Sequence, residues 1–526
     1  MAFTFQINNQ VKFNHNQSLL NKAAALTPKL KSTVVKPVAI VEPVKDSSKL
    51  NETGMKKIDD ITNLDKHQLK RDDRVILDFG NHYVGHFKIN IRHIGSPQDA
   101  PLALKIKFAE TPAEFAFNSA DYDGWLSKSW IQEETIHIDQ LPVELNLPRR
   151  YAFRYVELKV IDTSPKWSAI FSDPELTALS SADWNNYQPV KLSDHELQSI
   201  YDVSVKTLYD CMQEVFEDGP KRDRRLWLGD LHLQALANYA TFQNNVLVKR
   251  CLYLFGGMSA KDGRIAANVF TNGDPQPDDT FLLDYGLFFI STLDDYVTAS
   301  NDLATLRDLY PIAKKQVEVA LNCVHDGIYE PDDDYPVFVD WSNEFDKTTA
   351  GQAIIIYALK QFIHLAQQLN HDDDINKVQP ILDEMVDHSI NDLYDTKHHL
   401  FVSGSNHEFN VASQVWMVLA GVVSDENAKQ IMSSMKKELF PITGIATPYM
   451  YHHVAAAFFK AGLKDDGIEL LKDYWGKMIK LGADTYWEAF EPENTNYSPY
   501  GSPIVSSYCH AWGCTPAFLI KKYLLN

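Results

Sequence analysis

The chain has 526 residues, which is too long for a single hydrophobic core, so its length predicts two or three domains. Hydrophobic residues make up 45% of the chain and charged residues 23%, which is typical of a folded protein and excludes a disordered one. The formal net charge of −20 disfavours nucleic acid as a partner, because a polyanion selects clustered Lys and Arg, whereas a neutral substrate is compatible with it.

Residues 1–65 are polar and irregular, and this composition predicts an N-terminal arm or linker. The chain does not open with a basic segment followed by an apolar run, and no stretch approaches the ~20 apolar residues of a membrane span. We therefore expect a cytoplasmic protein that makes no membrane contact. The five cysteines have neither paired nor metal-ligand spacing, so we expect no disulfide framework and no structural zinc site.

Residues 66–190 follow a period of two. Apolar and polar residues alternate in short runs at 75–79, 86–92, 102–108, 135–138 and 155–161, with turn signals between them. This pattern predicts strands with one buried face, and their number and spacing favour an antiparallel β-sandwich.

Residues 191–526 change to a helical period, with about twelve helical runs joined by loops of uneven length. This number of helices favours an (α/α)6 toroid of helical hairpins, although periodicity does not distinguish a closed toroid from an open solenoid. The expected fold class is therefore multidomain β + α, an antiparallel β-sandwich followed by an (α/α)6 toroid.

The densest polar cluster is the acidic loop, EDGPKRDRRLWLGD, at residues 217–230. It contains three Asp, three Arg and Trp227 between two predicted helices, and Gly and Pro restrict its backbone. Such a loop can hold carboxylates at fixed angles, because Arg side chains pair with them in a bidentate manner. A solvated salt-bridge loop explains the same composition equally well.

A second cluster, TYWEAFEP at residues 485–492, surrounds Glu488 with Tyr486, Trp487 and Phe490. A carboxyl group among aromatic rings at a loop suits a general acid or base, because partial desolvation moves its pKa toward neutrality. An exposed Glu beside a hydrophobic helix end is the alternative.

Further acids and aromatic residues occur at predicted helix–loop junctions, namely Asp284, Asp340, Trp341 and His510. Each alone is more often a helix cap or a core residue, but their repetition on loops is typical of a toroid that lines a sugar pocket. The sequence has no HExxH motif, no Gly-rich phosphate loop and no GxSxG elbow, so we expect no metal and no cofactor.

Several motifs together resemble glycoside hydrolase family 78, the bacterial α-L-rhamnosidases. The family's acidic loop, DCPxRDERxGWxGD, is similar to residues 218–230, and its LDFGxxxxG strand is similar to residues 77–85. Further similarities, in the same order, are FAE at 108–110, FRYVEL at 153–158, ATPY at 446–449, GADTYWE at 482–488 and CHAWG at 509–513. The resemblance covers residues 74–526 and implies a β-sandwich followed by a six-hairpin toroid.

The resemblance implies an inverting hydrolase that releases terminal α-L-rhamnose without a cofactor, and it maps the general base onto Glu488 without a gap. The family's general acid is the Glu of RDER. That position is Arg224 when the loop is aligned from its start, and Asp223 when it is aligned from its end with one residue deleted. Because Arg cannot donate the proton, we predict Asp223 as the general acid, with Asp230 as the other candidate.

The resemblance also implies the substrate contacts. Asp218, Arg222 and Asp230 are expected to bind rhamnose hydroxyls. Trp227, Trp341 and Trp487 are expected to form apolar walls. Asp284, Asp340 and His510 are expected to add polar contacts.

The expected partners are small rhamnose-containing glycosides, and a homo-oligomer is compatible with the sequence. Two alternatives remain. One is a hydrolase of a different sugar on the same toroid. The other is a non-catalytic sugar-binding protein, in which Arg224 marks the loss of the acid.

Overall fold

The structure is a computed structural model that describes residues 11–525, and these residues form an antiparallel β domain followed by a helical domain. The strands of the β domain are β1 (Lys31–Val35), β2 (Ala39–Lys45), β3 (Thr53–Asp60), β4 (Arg74–Gly95), β5 (Leu102–Ala109), β6 (Glu133–Ile138), β7 (Val143–Asn146), β8 (Tyr151–Asp162) and β9 (Trp167–Ser180). They pair in the order β1-β9-β4-β8-β5-β6, with β2 and β7 also on β4 and β3 on β2. The prediction of an antiparallel β domain is confirmed.

The long strand β4 organises this domain. Its first part pairs with β8 and its second part with β9, and its register against β8 shifts between Asp78 and Tyr83. Apolar side chains from β4, β5, β8 and β9 form one buried core. The register shift has a structural consequence, because it directs His82 away from this core and toward the helical domain.

The structure corrects the prediction of an arm or linker over residues 1–65. Residues 31–60 form β1, β2 and β3, and the helix α1 (Gln17–Ala25) packs on the helical domain. The strand β1 is exposed along most of its length and pairs with β9 through its backbone. An edge strand with polar side chains has no apolar alternation, so its composition resembles that of a linker. Residues 1–10 lie outside the described residues.

The helical domain begins at α2 (His195–Cys211). It continues with α3 (Leu228–Ala240), α4 (Asn245–Gly256), α5 (Leu283–Ser300), α6 (Leu303–Leu321), α7 (Thr348–Leu369), α8 (Asp372–Asp392), α9 (Val411–Leu419), α10 (Asp425–Leu439), α11 (Pro448–Lys460), α12 (Lys464–Leu471), α13 (Lys477–Lys480) and α14 (Pro516–Leu524). A π-helical turn, Lys472–Gly476, connects α12 to α13.

Short strand pairs lie in the loops between these helices. They are β10 (Leu226–Trp227), β11 (Asn268–Phe270), β12 (Gln276–Pro277), β13 (Val324–His325), β14 (Ile328–Tyr329), β15 (Tyr394–Asp395), β16 (Leu400–Ser403) and β17 (Glu408–Phe409).

The inner helices form a closed ring. Each of α3, α5, α7, α9, α11 and α14 contacts the next, and α14 contacts α3. Helices such as α5 and α11 are buried on nearly all sides, whereas α8 and α10 keep a polar face toward solvent. The helices therefore form a toroid rather than an open solenoid. Within residues 11–525, no helix combines the length and the apolar character that a membrane crossing requires.

Partly buried ion pairs join the two domains. Arg154 of β8 contacts Asp78 and donates two hydrogen bonds of 2.8 and 2.7 Å to Asp484. Arg150 donates two hydrogen bonds to Glu217, at the start of the acidic loop. Bidentate pairs of this kind orient both partners, so the β domain restrains the loops that follow α2 and α13.

His82 forms a third junction between the domains. Its Nδ1 lies 2.7 Å from an Asp210 oxygen of α2, and its Nε2 lies 3.0 Å from a Glu110 oxygen. Burial alone lowers the pKa of His82, but Cys509, Asp210 and Glu110 together raise that pKa well above its usual value. The raised pKa favours an imidazole with two protons, and its two nitrogens contact carboxylates of both domains.

This bridge predicts a pH-dependent stability. A His whose pKa is higher in the folded than in the unfolded state contributes to the stability of the fold. This contribution is fully present below about pH 6.5, the usual His pKa, and it is lost as the pH rises through the raised pKa of the folded state. The free energy of unfolding should therefore fall above pH 6.5, with a slope of at most about 1.4 kcal/mol per pH unit for one proton.

Urea unfolding of wild type and His82→Gln at several pH values measures this slope. The variant should lose this part of the pH dependence. His137→Gln, at an exposed position of β6, is the matched control. If His82→Gln keeps the wild-type slope, the charge on His82 does not stabilise the interface.

Candidate functional site

A cavity of about 670 Å³, including the space that is open to solvent, lies where the helical domain meets the β domain. Its floor consists of the lining residues that are buried: Asp218, Arg222, Asp230, Leu282, Tyr285, Phe338, Glu488, Tyr500, His510 and Trp512. Its rim consists of the lining residues that keep exposed surface: Trp125, Leu126, Trp130, Asp223, Arg225, Trp227 and Trp341. A deep floor that combines charged and aromatic side chains, under a rim with four tryptophans, is typical of a small-molecule site.

The acidic loop reaches the cavity because its backbone packs closely against residues 507–509. A Cβ atom at Gly219 would lie 2.6 Å from the Ser507 hydroxyl and 3.3 Å from the Cys509 carbonyl oxygen, so only glycine permits this approach. The loop closes on itself, since the Asp218 N–H donates to the Arg225 carbonyl and the Arg225 N–H donates to the Asp218 carboxylate, both at 3.0 Å.

Asp223 and Arg224 have φ angles of 66° and 53°, both in the left-handed region. Such a conformation is costly for a non-glycine residue, and the surrounding contacts must hold it in place. It directs the two side chains to opposite sides. Asp223 lines the cavity, whereas the Arg224 guanidinium donates to the carbonyls of Pro220 and Arg150, each at 2.8 Å. Arg224 therefore belongs to the domain interface.

Arg222 connects the two predicted catalytic carboxylates. One terminal nitrogen donates to Asp223 at 3.1 Å, and the other donates to Glu488. Its Nε donates to the Val505 carbonyl at 3.0 Å, and its guanidinium stacks 4.2 Å from the centre of the Tyr500 ring. One buried cation thus holds both carboxylates toward the same cavity.

Glu488 is surrounded by hydrogen-bond donors. Its carboxylate accepts from the Tyr500 hydroxyl, from Arg222 and from the Ser507 N–H. Its backbone is held as well, because its N–H donates to the Ser507 carbonyl and its own carbonyl accepts from the Trp512 indole at 2.9 Å. Its orientation is therefore set before any ligand binds.

Asp218 and Asp230 lie deeper in the acidic cluster. Burial first, and then the charges of Asp223 and Asp230, raise the pKa of Asp218 well above its usual value. Burial first, and then the charges of Glu488 and Asp223, also raise the pKa of Asp230 well above its usual value. Both groups are therefore biased toward the protonated form, in which a carboxyl group donates a hydrogen bond as well as accepting one.

Several floor and rim atoms are left without a hydrogen-bond partner among the described residues. They include Arg225 Nε, together with Asp230 Oδ1 and His510 Nδ1, which lie 3.5 Å from each other. Burial lowers the pKa of His510 well below its usual value, with Arg222 adding to this effect, so its ring is neutral. Buried polar atoms are rarely unpaired, and a ligand rich in hydroxyl groups would satisfy these.

The acidic loop also forms an ion pair with the β domain. The buried ammonium group of Lys221 contacts a Glu114 oxygen at 2.6 Å and donates to the carbonyls of Ile504 and Ser506. Lys221 precedes Arg222, so this contact fixes the backbone from which Arg222 reaches the carboxylates.

The structure brings together eight of the predicted site residues around the cavity: Asp218, Arg222, Asp223, Trp227, Asp230, Trp341, Glu488 and His510. Three others are corrected. Asp284 accepts the N–H groups of Phe338 and Val339, with Val339 at a φ of 55°. The Asp284 carboxylate therefore holds a strained loop, and Asp284 does not line the cavity.

Asp340 and Trp487 also do not line the cavity, because other contacts hold their side chains elsewhere. Asp340 accepts from the N–H groups of Ser342 and Ala446 and from the Thr447 hydroxyl, so it joins two loops. Trp487 is 2% exposed and packs against Phe490 and Tyr508 behind Glu488. Both residues position neighbours that line the cavity.

Sequence reasoning missed other lining residues: Trp125, Leu126, Trp130, Arg225, Leu282, Tyr285, Phe338, Tyr500 and Trp512. Tyr500 lies in an irregular loop without periodicity. The first three belong to the β domain. The distance along the chain between them and the acidic loop leaves no local signal of their contact.

One group of potential metal ligands occurs in the described part of the chain. Single ligand atoms of His82, Asp210 and Cys509 lie within 4.8 Å of one another, at the domain interface. Both ring nitrogens of His82 already contact carboxylates, and Lys206 donates to Asp210 at 2.5 Å. These contacts already use the ring nitrogens of His82 and an oxygen of Asp210, and the cluster is separate from the cavity lining.

Residues 37–178 match the glycosyl hydrolase family 78 alpha-rhamnosidase N-terminal domain, and residues 187–524 match the bacterial alpha-L-rhamnosidase 6 hairpin glycosidase domain. A comparison with curated proteins gives no significant match.

Among solved structures, a rhamnosidase from Klebsiella oxytoca with rhamnose bound is 42% identical, with a TM-score of 0.94, and the match covers 98% of this chain and 100% of that one. A family 78 rhamnosidase of Bacillus sp. GL1 is 18% identical, with a TM-score of 0.71, and the match covers 85% of this chain and 46% of that one.

The α-L-rhamnosidase of Streptomyces avermitilis complexed with L-rhamnose is 16% identical, with a TM-score of 0.67, and the match covers 94% of this chain and 44% of that one. This chain therefore spans slightly less than half the length of the Bacillus and Streptomyces proteins, and their likeness concerns the fold alone.

Proposed function

Because this chain belongs to the bacterial α-L-rhamnosidases of glycoside hydrolase family 78, and is therefore a glycoside hydrolase, we propose that it releases terminal α-L-rhamnose from small rhamnosides with inversion at the anomeric carbon. One observation carries the proposal. Two carboxylates, Asp223 of the rim and Glu488 of the floor, face one cavity and are bridged by Arg222, and some polar atoms of the same floor have no hydrogen-bond partner.

In this proposal rhamnose occupies the floor, and the leaving group points through the rim. Asp223 is the general acid. Its side chain is 15% exposed, against 5% for Glu488 and 3% for Asp230, so it lies nearest to the bond that joins the sugar to its leaving group. Asp218, Asp230 and His510 bind the sugar hydroxyls, and Trp227 and Trp341 form its apolar walls.

The reaction uses one water molecule. Glu488 takes a proton from that water as its oxygen forms a bond to the anomeric carbon. The bond between this carbon and the glycosidic oxygen breaks, and Asp223 gives its proton to the departing oxygen. An inverting pair of carboxyl groups is ~6.5–9.5 Å apart, which leaves room for the water, and two carboxylates held on opposite sides of one guanidinium suit that requirement.

A second candidate for the acid is Asp230. Its raised pKa favours the protonated form that a general acid needs, which supports this assignment. Its low exposure and its place on the floor favour a sugar contact instead. The two roles differ in their dependence on the leaving group.

Two other functions remain as alternatives. A hydrolase of a different sugar would place another ring on the same floor. A non-catalytic binding protein would require that the acid be lost at Arg224. The orientation of Arg224 toward the β domain argues against this second alternative, because Asp223 still faces the cavity.

Hydrolysis of 4-nitrophenyl α-L-rhamnoside, followed by NMR, tests the proposal. β-L-rhamnose should be the first anomer to appear. Initial release of α-L-rhamnose would contradict inversion. A preference for another aryl glycoside would support the different-sugar alternative, and rhamnose binding without turnover would support the binding protein.

We also propose that no metal is needed for turnover, because two carboxyl groups perform both proton transfers. Activity on the aryl rhamnoside is expected to stay within about twofold of its starting value after exhaustive EDTA treatment and gel filtration. Loss of activity on chelation, restored by adding back a divalent cation, would overturn this assignment.

The five cysteines are all free and buried. This state supports placing the enzyme in a reducing compartment, where small imported rhamnosides would be its substrates.

A further inference from the structure

We propose that the β domain supplies the subsite for the leaving group, in which the Trp125 ring stacks on an aromatic aglycone. This inference rests on the proposed function, since it assigns the part of the substrate that lies beyond rhamnose. It concerns residues 117–131, which connect β5 to β6 and are called here the 117–131 segment.

The first observation is that the rim of the cavity contains residues from both domains. Trp125, Leu126 and Trp130 come from the 117–131 segment, whereas the other lining residues come from the helical domain. In a pocket that holds a terminal sugar on its floor, the group attached to that sugar must pass the rim. The cavity is therefore completed by a domain that contributes neither of the proposed catalytic carboxylates.

The second observation is the exposure of Trp125. Its side chain is 53% exposed, while Trp512 of the same cavity is 3% exposed. Its ring centre lies 5.5 Å from that of Tyr500, whose hydroxyl donates to Glu488. An indole at the mouth of a polar pocket offers a large apolar face that a bound ring would cover.

The third observation is that the segment is fixed in place. Tyr122 and Ile131 are buried in one cluster with Tyr500, Ile504 and Val505 of the helical domain. A Cβ atom at Gly124 would lie 2.5 Å from the Tyr122 hydroxyl, so glycine is required for this packing. Because the segment is already ordered, Trp125 loses little conformational freedom when a ligand binds.

The chemistry of the rim selects the class of aglycone. The three rim residues of the 117–131 segment are two indoles and an isobutyl group, which suit a flat apolar ring. Elsewhere on the rim, Arg225 stacks 4.3 Å from the Phe270 ring and has an unpaired Nε. A cation beside aromatic faces favours a π-system with a polar substituent. A sugar at this position would need more hydrogen-bond partners than these side chains offer.

The experiment compares Trp125→Ala with wild type on three substrates: an aryl α-L-rhamnoside, an alkyl α-L-rhamnoside and a rhamnose-containing disaccharide. We expect kcat/KM on the aryl substrate to fall by about tenfold or more, mainly through KM, which is the size of one lost aromatic contact. The values on the alkyl substrate and the inhibition constant of free rhamnose should stay within about twofold of wild type.

Two further variants serve as controls. Trp125→Phe keeps an aromatic face and should recover most of the lost kcat/KM. Trp184→Ala removes the other tryptophan with high exposure, at 45%, which packs on Tyr209 and Phe242 away from the cavity, and it should leave all substrates unchanged.

Equal kcat/KM losses of Trp125→Ala on the aryl and alkyl substrates, or no loss at all, would overturn the inference. A loss on the disaccharide as large as that on the aryl substrate would overturn the choice of an aromatic aglycone. If wild type releases no rhamnose from any of the three, the proposed function itself fails. An active wild type with an equally active Trp125→Ala removes only this inference.

Discussion

Replacing Glu488 by Gln is expected to lower kcat by about 10²–10⁴, the usual cost of losing a general base. Gln keeps the shape of the side chain and its amide oxygen still accepts one hydrogen bond, but it cannot take a proton from water. Binding of rhamnose, measured by calorimetry, should persist because the floor contacts of Asp218, Asp230 and His510 are untouched.

A chemical rescue separates a base from a residue that only supports the loop. In Glu488→Ala, azide can occupy the space of the lost carboxylate and attack the anomeric carbon without giving up a proton. We expect azide to restore part of the turnover and to yield the β-configured rhamnosyl azide. An enzyme that needs Glu488 only for folding would show no such product.

The matched control for Glu488 is Glu491→Gln. Glu491 lies in the same loop, is partly exposed and does not line the cavity, so its variant should keep wild-type turnover. Normal kcat in Glu488→Gln, or an equal loss in both variants, would exclude Glu488 as the base.

Replacing Asp223 by Asn is expected to affect substrates according to their leaving group. A nitrophenolate departs readily without a proton, whereas a sugar or alkyl alkoxide does not. The value of kcat/KM should therefore fall by about 10²–10⁴ on an alkyl or disaccharide rhamnoside, and much less on the nitrophenyl substrate. The alkaline limb of the pH–rate profile should disappear in the same variant, because that limb reports loss of the acid's proton.

Asp230→Asn is the companion variant. If Asp230 only binds hydroxyls, both substrates should lose kcat/KM alike, since both present the same sugar. A selective loss on poor leaving groups in Asp230→Asn, with equal losses in Asp223→Asn, would transfer the acid role to Asp230. The raised pKa of Asp230 makes this comparison necessary.

The position of Arg224 shows why the acid could not be assigned from the aligned motif alone. Two consecutive residues at positive φ reverse the direction of the chain, so neighbours in sequence point to different domains. Aligning the motif from the start or from the end of the loop assigns the acid to different residues. Only the backbone conformation indicates which of the two side chains faces the cavity.

The sequence by itself determined the two kinds of domain and the two segments that carry the proposed acid and base. Periods of two and of 3.6 residues are local properties, because they record which face of a strand or helix is buried. The density of acids and aromatic residues around Glu488 and in the acidic loop is also local. Each of these features can be read within a short window of residues.

The tertiary structure decided where the side chains point. Asp284 and Asp340 have the composition of site residues, yet their carboxylates are used by the N–H groups of distant loops. Trp125 and Tyr500 meet across more than half of the chain, which no periodicity encodes. Local patterns specify secondary structure, but the direction of a loop side chain depends on φ angles and long-range contacts that exist only after the two domains have packed together.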